Sequence, residues 1–188
     1  MKTQSNVLYV LRITVVLLSI AIVVAAALAV VNSLTAPVIA LSNEEKTQQA
    51  IAQVLPGGYD TELTEFSSES GLVSRVYRGT NGYAVEVTPA GFDNTITMMV
   101  GVGFDGKVLG ISIVSHTETA GLGAVAAGNG EKSEAFREQF VGQSGSVSVR
   151  KDGGEIDAIT GATITSRAVC EGVNAALSCV AALEGGNA

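Results

Sequence analysis

The sequence predicts an α+β protein: an N-terminal transmembrane helix followed by one domain in which helices pack on an antiparallel sheet. Three observations predict it. Residues 13–31 run for 19 positions without a charge. Between residues 72 and 115 apolar side chains recur at every second position, the period of a strand. After Thr163, Val169, Val173, Leu177 and Val180 fall at helical spacing and would bury one stripe against that sheet.

The first element is the span. About 20 apolar residues cross a bilayer core as a helix, and here the uncharged run continues to Asn43. Ala25, Ala26, Ala27 and Ala29 offer small residues of the kind a signal peptidase cuts beside. Signal cores, however, run to about 7–15 residues. The expectation is therefore an uncleaved, single-pass anchor in the cell (inner) membrane. Lys2 and Arg12 precede the span, which places the N-terminus in the cytoplasm and the remainder outside. The expected organisation is an anchor over residues 1–35, a connecting helix and acidic loop over 36–70, and an extracytoplasmic domain over 71–188.

Pro37 is expected to close the span region, with a second helix starting at Ser42. Ser42 and Glu45 have the spacing of a capping box, and Ile51, Val54 and Leu55 supply an apolar stripe. Pro56-Gly57-Gly58 ends that helix. Residues 60–70 are polar and acidic and read as a loop. The period then becomes two. Tyr83, Val85 and Val87 alternate with Ala84, Glu86 and Thr88, as do Ile96, Met98, Val100 and Val102 with their neighbours, and Leu109, Ile111 and Ile113 continue the pattern. Asn81-Gly82 and Asp105-Gly106 supply turn residues able to take positive φ. Residues 72–115 thus read as a four-stranded meander, to which a short strand around Val147 and Val149 is added. A short helix over 131–141 carries Phe136 and Phe140 on one face, and the long helix after Thr163 completes the cover.

Composition narrows the function. Beyond the anchor the chain holds nine basic and all eighteen acidic residues, a net charge of −9. Such a surface repels phosphate backbones, so nucleic-acid binding and docking on anionic lipid are excluded as functions. Cys170 and Cys179 are nine positions apart on one helix, which turns them about 900° and separates them by about 13 Å. A mutual disulfide or shared metal is ruled out, and both read as buried thiols; no metal or iron–sulfur spacing is present. No Gly-x-Gly-x-x-Gly run lies between a strand and a helix, so a free-standing NAD-dependent flavin reductase is not indicated.

Two loops carry candidate chemistry. The first, residues 116–123, packs His116, Thr117, Glu118, Thr119, Gly121, Leu122 and Gly123 at a strand end. Glycines there admit close backbone approach of a flat polar ligand, although an ordinary solvated connection has the same composition. The second reads Asp157-Ala158-Ile159-Thr160-Gly161-Ala162-Thr163-Ile164-Thr165 and opens a helix. Free N–H groups and the positive dipole end at a helix start favour a phosphate. On local chemistry alone, Thr160 or Thr163 acting as the helix cap is the simpler account.

The second loop resembles the flavinylation motif Asp-x-x-(Ser/Thr)-Gly-Ala-Thr of covalent FMN-binding domains, a specific motif because a dedicated FMN transferase reads it. The run over 82–123, with Gly91-Phe92, Met99-Val100-Gly101, Asp105-Gly106-Lys107 and the 116–123 loop, is similar to the G subunit of the Rnf electron-transport complex. Anchor, size and motif order extend the likeness to nearly the whole chain. In that family the first loop usually has Pro where this chain has Ala120, which removes some rigidity in φ but no ligand group. The resemblance implies an FMN-binding domain carrying FMN as a phosphoester on Thr163. It makes Asp157, Gly161 and Ala162 the transferase recognition residues. His116, Glu118, Thr119, Leu122, Gly123, Thr160, Gly161, Ala162 and Thr165 become cofactor contacts. It further implies an electron relay, not itself the site of NAD or ferredoxin chemistry, within a complex of membrane and iron–sulfur subunits that couples ferredoxin:NAD oxidoreduction to sodium or proton transport. The FMN-bearing C subunit of the sodium-pumping NADH:quinone oxidoreductase shares anchor, domain and motif but is typically longer. A purely structural assembly protein is the other alternative.

Overall fold

A computed structural model describes residues 2–63, 66 and 70–185 of the chain. Contacts divide the chain between Glu44 and Glu45 into two compact units. The first is helical, formed by the part of α1 (Lys2–Val54) that runs up to Glu44. Up to Leu41 most of its large apolar side chains, among them Leu17, Ile22, Leu28 and Leu34, are more than half exposed. The stretch beginning at Leu11 is long and apolar enough to cross a membrane.

Pro37 does not end the helix, and no second helix starts at Ser42; α1 runs through both. Proline deletes one backbone donor, here the one that would reach the Ser33 carbonyl. In an apolar setting a break would strand several backbone groups, so losing one bond is the cheaper outcome. Just upstream, the Ser33 hydroxyl donates to the Val30 carbonyl at 2.8 Å and that of Thr35 to Val31 at 2.9 Å. Polar side chains in this turn are thereby satisfied within the helix.

In the second unit, the last turns of α1 lie on a five-stranded antiparallel sheet of order β1-β2-β3-β4-β5. The strands are β1 (Tyr59–Leu63), β2 (Val73–Gly79), β3 (Gly82–Val87), β4 (Thr97–Gly103) and β5 (Val108–Ser115). The four expected strands are present. The fifth, β1, lies in the segment expected to be a loop. Its Thr61 and Glu62 are exposed and show no apolar alternation, so only backbone pairing with β2 declares it a strand.

Alternation sorts the sheet into two faces. Val76, Tyr83, Val85, Val87, Met98, Val100 and Val102 join one core, and Tyr77, Ala84 and Met99 join the other. The second face is covered by Ala50, Ile51 and Val54 of α1 and by Leu55 just after it. There Gly101 and Gly110 are register partners, and a Cβ at Gly101 would strike the Val54 carbonyl. The missing side chains let the helix backbone settle on the sheet. β5 departs from the expected pattern in one respect. A register irregularity between Gly101 and Val102 pairs Val102 with Val108, so Val108 and not Leu109 shares a core with Ile111 and Ile113.

The opposite face is covered by α2 (Glu131–Glu138) and α3 (Thr163–Gly185). Phe136 and the following Phe140 meet edge to face at 5.4 Å, as their spacing implied. Val169, Val173, Leu177 and Val180 are buried, as are both free cysteines. Burial, with Asp152 nearby as a smaller cause, pushes the Cys170 thiol up to about 11. Gly172 brings α3 onto Val87, Pro89 and Met98. Val147 and Val149 add no strand to the sheet. Val149 forms a single parallel bridge with Ile156, and these three side chains are buried in the same core.

Candidate functional site

The site is built where α3 begins. The Ser166 N–H donates to the Ala162 carbonyl at 3.0 Å, which makes Ala162 the boundary residue and Thr163 the first residue of the helix. The amides of Thr163, Ile164 and Thr165 are therefore among those a helix leaves without an intrahelical acceptor. Ser166 seals the turn by accepting from the Ile159 N–H and donating to the Ala162 carbonyl. Gly161, at φ 78°, reverses the chain into that turn. The capping alternative fails for Thr163, which stands inside the first turn; Thr160 is exposed on the preceding turn.

Glu118 organises the rest. Its side chain is buried, and its Oε1 accepts from the N–H groups of Phe92 at 2.8 Å and Asp93 at 3.3 Å. Its Oε2 accepts from the Thr165 hydroxyl. One carboxyl group thus ties the β3–β4 hairpin tip, the 116–123 loop and the first turn of α3 together. Gly91 and Gly123 make room for it, since a Cβ at either would collide with a Glu118 oxygen. Ala120 leaves the loop closed without proline: the N–H groups of Leu122 and Ala124 both donate to the Thr119 carbonyl at 3.2 Å.

Phe92, Glu118, Thr119, Leu122, Gly123, Lys151, Gly161, Ala162, Thr163, Ile164 and Thr165 line a cavity of about 350 Å³. That volume lies within the range of small-molecule clefts, about 300–1,000 Å³. Its rim is apolar, with Phe92, Leu122 and Ile164 exposed at 65%, 44% and 49%. Its helix end is cationic. Lys151 Nζ approaches Thr163 Oγ1 at 3.4 Å, and Asp152 is held by Arg167 in two 2.7 Å hydrogen bonds. Arg167 keeps the Asp152 carboxyl below the usual carboxylate range. An anionic phosphoryl group at the amides and a flat apolar ring against the rim both fit these residues. Two larger grooves, about 650 and 620 Å³, flank the C-terminal half of α3, and none of the sequence-predicted site residues lines them.

Seven of the residues expected to contact the cofactor line this cavity; His116 and Thr160 do not. His116 Nδ1 instead accepts from the Glu118 N–H at 3.2 Å and supports the loop from behind. Asp157 also lies outside the cavity. Its carboxylate pairs with Arg150 at 2.9 Å, and its backbone is clasped on both sides by Gln139. Lys151, Phe92 and Ile164 are site residues that the sequence reading does not single out. Lys151 carried a signal, because three of the nine basic residues beyond the anchor, Arg150, Lys151 and Arg167, stand beside this motif in an otherwise acidic domain.

A helix start with free first-turn amides, joined to an apolar-rimmed cleft on an antiparallel sheet, lies within residues 91–178, the stretch that the FMN-binding domain family model matches, so this is an FMN-binding domain. Whole-chain relatives are more particular. The chain is 33% identical to the G subunit of the Na(+)-translocating ferredoxin:NAD(+) oxidoreductase complex of Acetobacterium woodii, over 92% of each chain. It is 31% identical to the G subunit of the ion-translocating oxidoreductase complex of Methanosarcina acetivorans, over 93% of this chain and 96% of that one. The G subunit of a proton-translocating ferredoxin:NAD(+) oxidoreductase complex from Clostridium ljungdahlii is 43% identical over 57% of each. The chain belongs to the G-subunit family of the Rnf-type ion-translocating oxidoreductase complexes.

Proposed function

We propose that this protein is the FMN-carrying electron relay of a membrane ferredoxin:NAD oxidoreductase complex that moves sodium ions or protons, with FMN held as a phosphoester on Thr163. Family membership supports the relay role, and one observation carries the attachment point. Of the three threonines around the helix start, only Thr163 offers a hydroxyl that faces the cavity and is not committed to another group's acceptor. The Thr165 hydroxyl is buried and spent on Glu118, and Thr160 stands outside the cavity.

The protein's own residues would do the following. The first-turn amides of α3 and Lys151 would hold the phosphoryl end. Phe92, Leu122 and Ile164 would exclude water from the ring, and Glu118 would keep the three wall segments in register. Bound flavin supplies reversible acceptance of one or two electrons. The tether keeps the cofactor from being lost to a dilute exterior, which suits a domain outside the cytoplasm behind an uncleaved single-pass anchor. Partners would be the membrane and iron–sulfur subunits of the complex, and an FMN transferase for maturation that recognises Asp157, Gly161 and Ala162.

Coexpression with an FMN transferase should give a band that fluoresces in a denaturing gel. Thr163→Ala should be dark while folding normally. A dark Thr165→Ala beside a fluorescent Thr163→Ala would move the attachment site. Vesicles carrying Thr163→Ala should assemble the complex yet lose ferredoxin-dependent NAD reduction, and undiminished turnover would refute the relay role.

A further inference from the structure

Resting on the Thr163 ester, we propose that Lys151 is the residue that prepares Thr163 for phosphoryl transfer and then serves as counter-ion to the phosphodiester formed there. Lys151 is the cation aimed at the cavity, and its ammonium can only donate, so Thr163 Oγ1 is the acceptor in their 3.4 Å contact. The hydroxyl is thereby oriented with its proton and remaining lone pair turned elsewhere.

The neighbourhood keeps that ammonium available. Asp152 is engaged by Arg167 through both carboxylate oxygens, and Asp157 by Arg150. Among the described residues Lys151 forms no ion pair: Asp152 and Asp157 are each matched by an arginine, and the Glu118 carboxyl in the same cavity is held by the Phe92 and Asp93 amides and the Thr165 hydroxyl, which leaves Lys151 for the site. The backbone beneath it is set by a tight turn. Arg150 N–H donates to Ile156 O at 2.9 Å, Gly154 N–H donates to Val149 O at 3.1 Å, and Gly153 takes φ 86°. The Asp152–Arg167 bidentate pair then fastens this turn to α3, one helical turn beyond Thr163.

The chemistry balances with one external reactant, a flavin nucleotide activated as a phosphoanhydride and presented by the transferase. Thr163 Oγ1 forms the new P–O bond and the anhydride P–O bond breaks. The leaving phosphate takes the electron pair, and the hydroxyl proton passes to a base of the transferase. Negative charge gathers on the phosphoryl oxygens beside Lys151 and persists in the product diester, where a charge-assisted contact is strongest.

The test uses the full chain in detergent with an FMN transferase and its flavin-nucleotide donor, following the initial rate of in-gel fluorescence. Lys151→Met and Lys151→Gln should slow loading roughly tenfold or more, the scale of a lost hydrogen bond to a charged group. Lys151→Arg should restore most of the rate, and the melting temperatures of the unloaded variants should match the parent. Loading of Lys151→Met at the parental rate would overturn the role. So would equal slowing in Lys151→Arg accompanied by a lowered melting temperature, which would mark Lys151 as structural. A parental protein that takes up no flavin would instead remove the Thr163 ester itself, and this inference with it.

Discussion

At the scale of single residues, Glu118 shows how a group read as a ligand contact can be chiefly an organiser. Its oxygens take two part-buried backbone donors from the exposed hairpin tip and one fully buried hydroxyl from α3. Glu118→Ala would strand the buried Thr165 hydroxyl and release the two hairpin-tip amides, so unfolding by urea should show a loss of about 1–3 kcal/mol, the penalty of an orphaned buried donor. Glu118→Gln keeps one carbonyl oxygen for the Phe92 amide and should cost less than half of that. Equal losses in the two variants would mean that packing, and not acceptor chemistry, sets the penalty. The loop's importance was legible in its composition. The partners of Glu118 were not, because Phe92 and Thr165 lie 26 and 47 positions away and share no periodicity with it. The basic cluster around Lys151 was legible, but the proposed role of Lys151 was not, because it depends on two arginines pairing with Asp152 and Asp157, which only the folded backbone brings together.

At the scale of elements, period-two alternation identified β2 to β5, and the helical stripe identified α3, because each of these buries an apolar face. What the pattern did not disclose has particular causes. β1 is an edge strand with polar side chains, so nothing but its hydrogen bonds distinguishes it from a loop. The irregularity in β5 moves Leu109 to the opposite face from Ile111 without altering the look of the sequence. Pro37 and the Ser42–Glu45 spacing were genuine local signals overridden by the continuity of an apolar helix. The contact between α1 and the sheet supplies a paired test. A methyl group at Gly101 meets the Val54 backbone, whereas at Gly110 it would sit at 3.7 Å from Val54 Cα, an ordinary contact. Gly101→Ala should therefore lower stability by about 1–3 kcal/mol, the usual cost of overpacking, while Gly110→Ala should be near neutral. Similar melting temperatures for the two would show that the helix yields at this contact.

For the whole molecule, the anchor was the plainest reading of all, since length and absence of charge suffice to identify a candidate span. Its direction rests on Lys2 and Arg12. A reporter active only outside the cytoplasm, fused after the final residue, should be active. Activity only from a reporter that requires the cytoplasm would reverse the proposed orientation. The tie made by Glu118 has a consequence for how the mature protein comes into being. Its three anchored segments are strangers in sequence, and neither the cleft nor the meeting of Lys151 with Thr163 exists in an extended chain. If loading depends on that meeting, a polypeptide emerging from an export channel is a poor substrate until its tertiary structure closes. Attachment of the pigment would then work as an inspection stamp, and the colour of a preparation would count the molecules that finished folding.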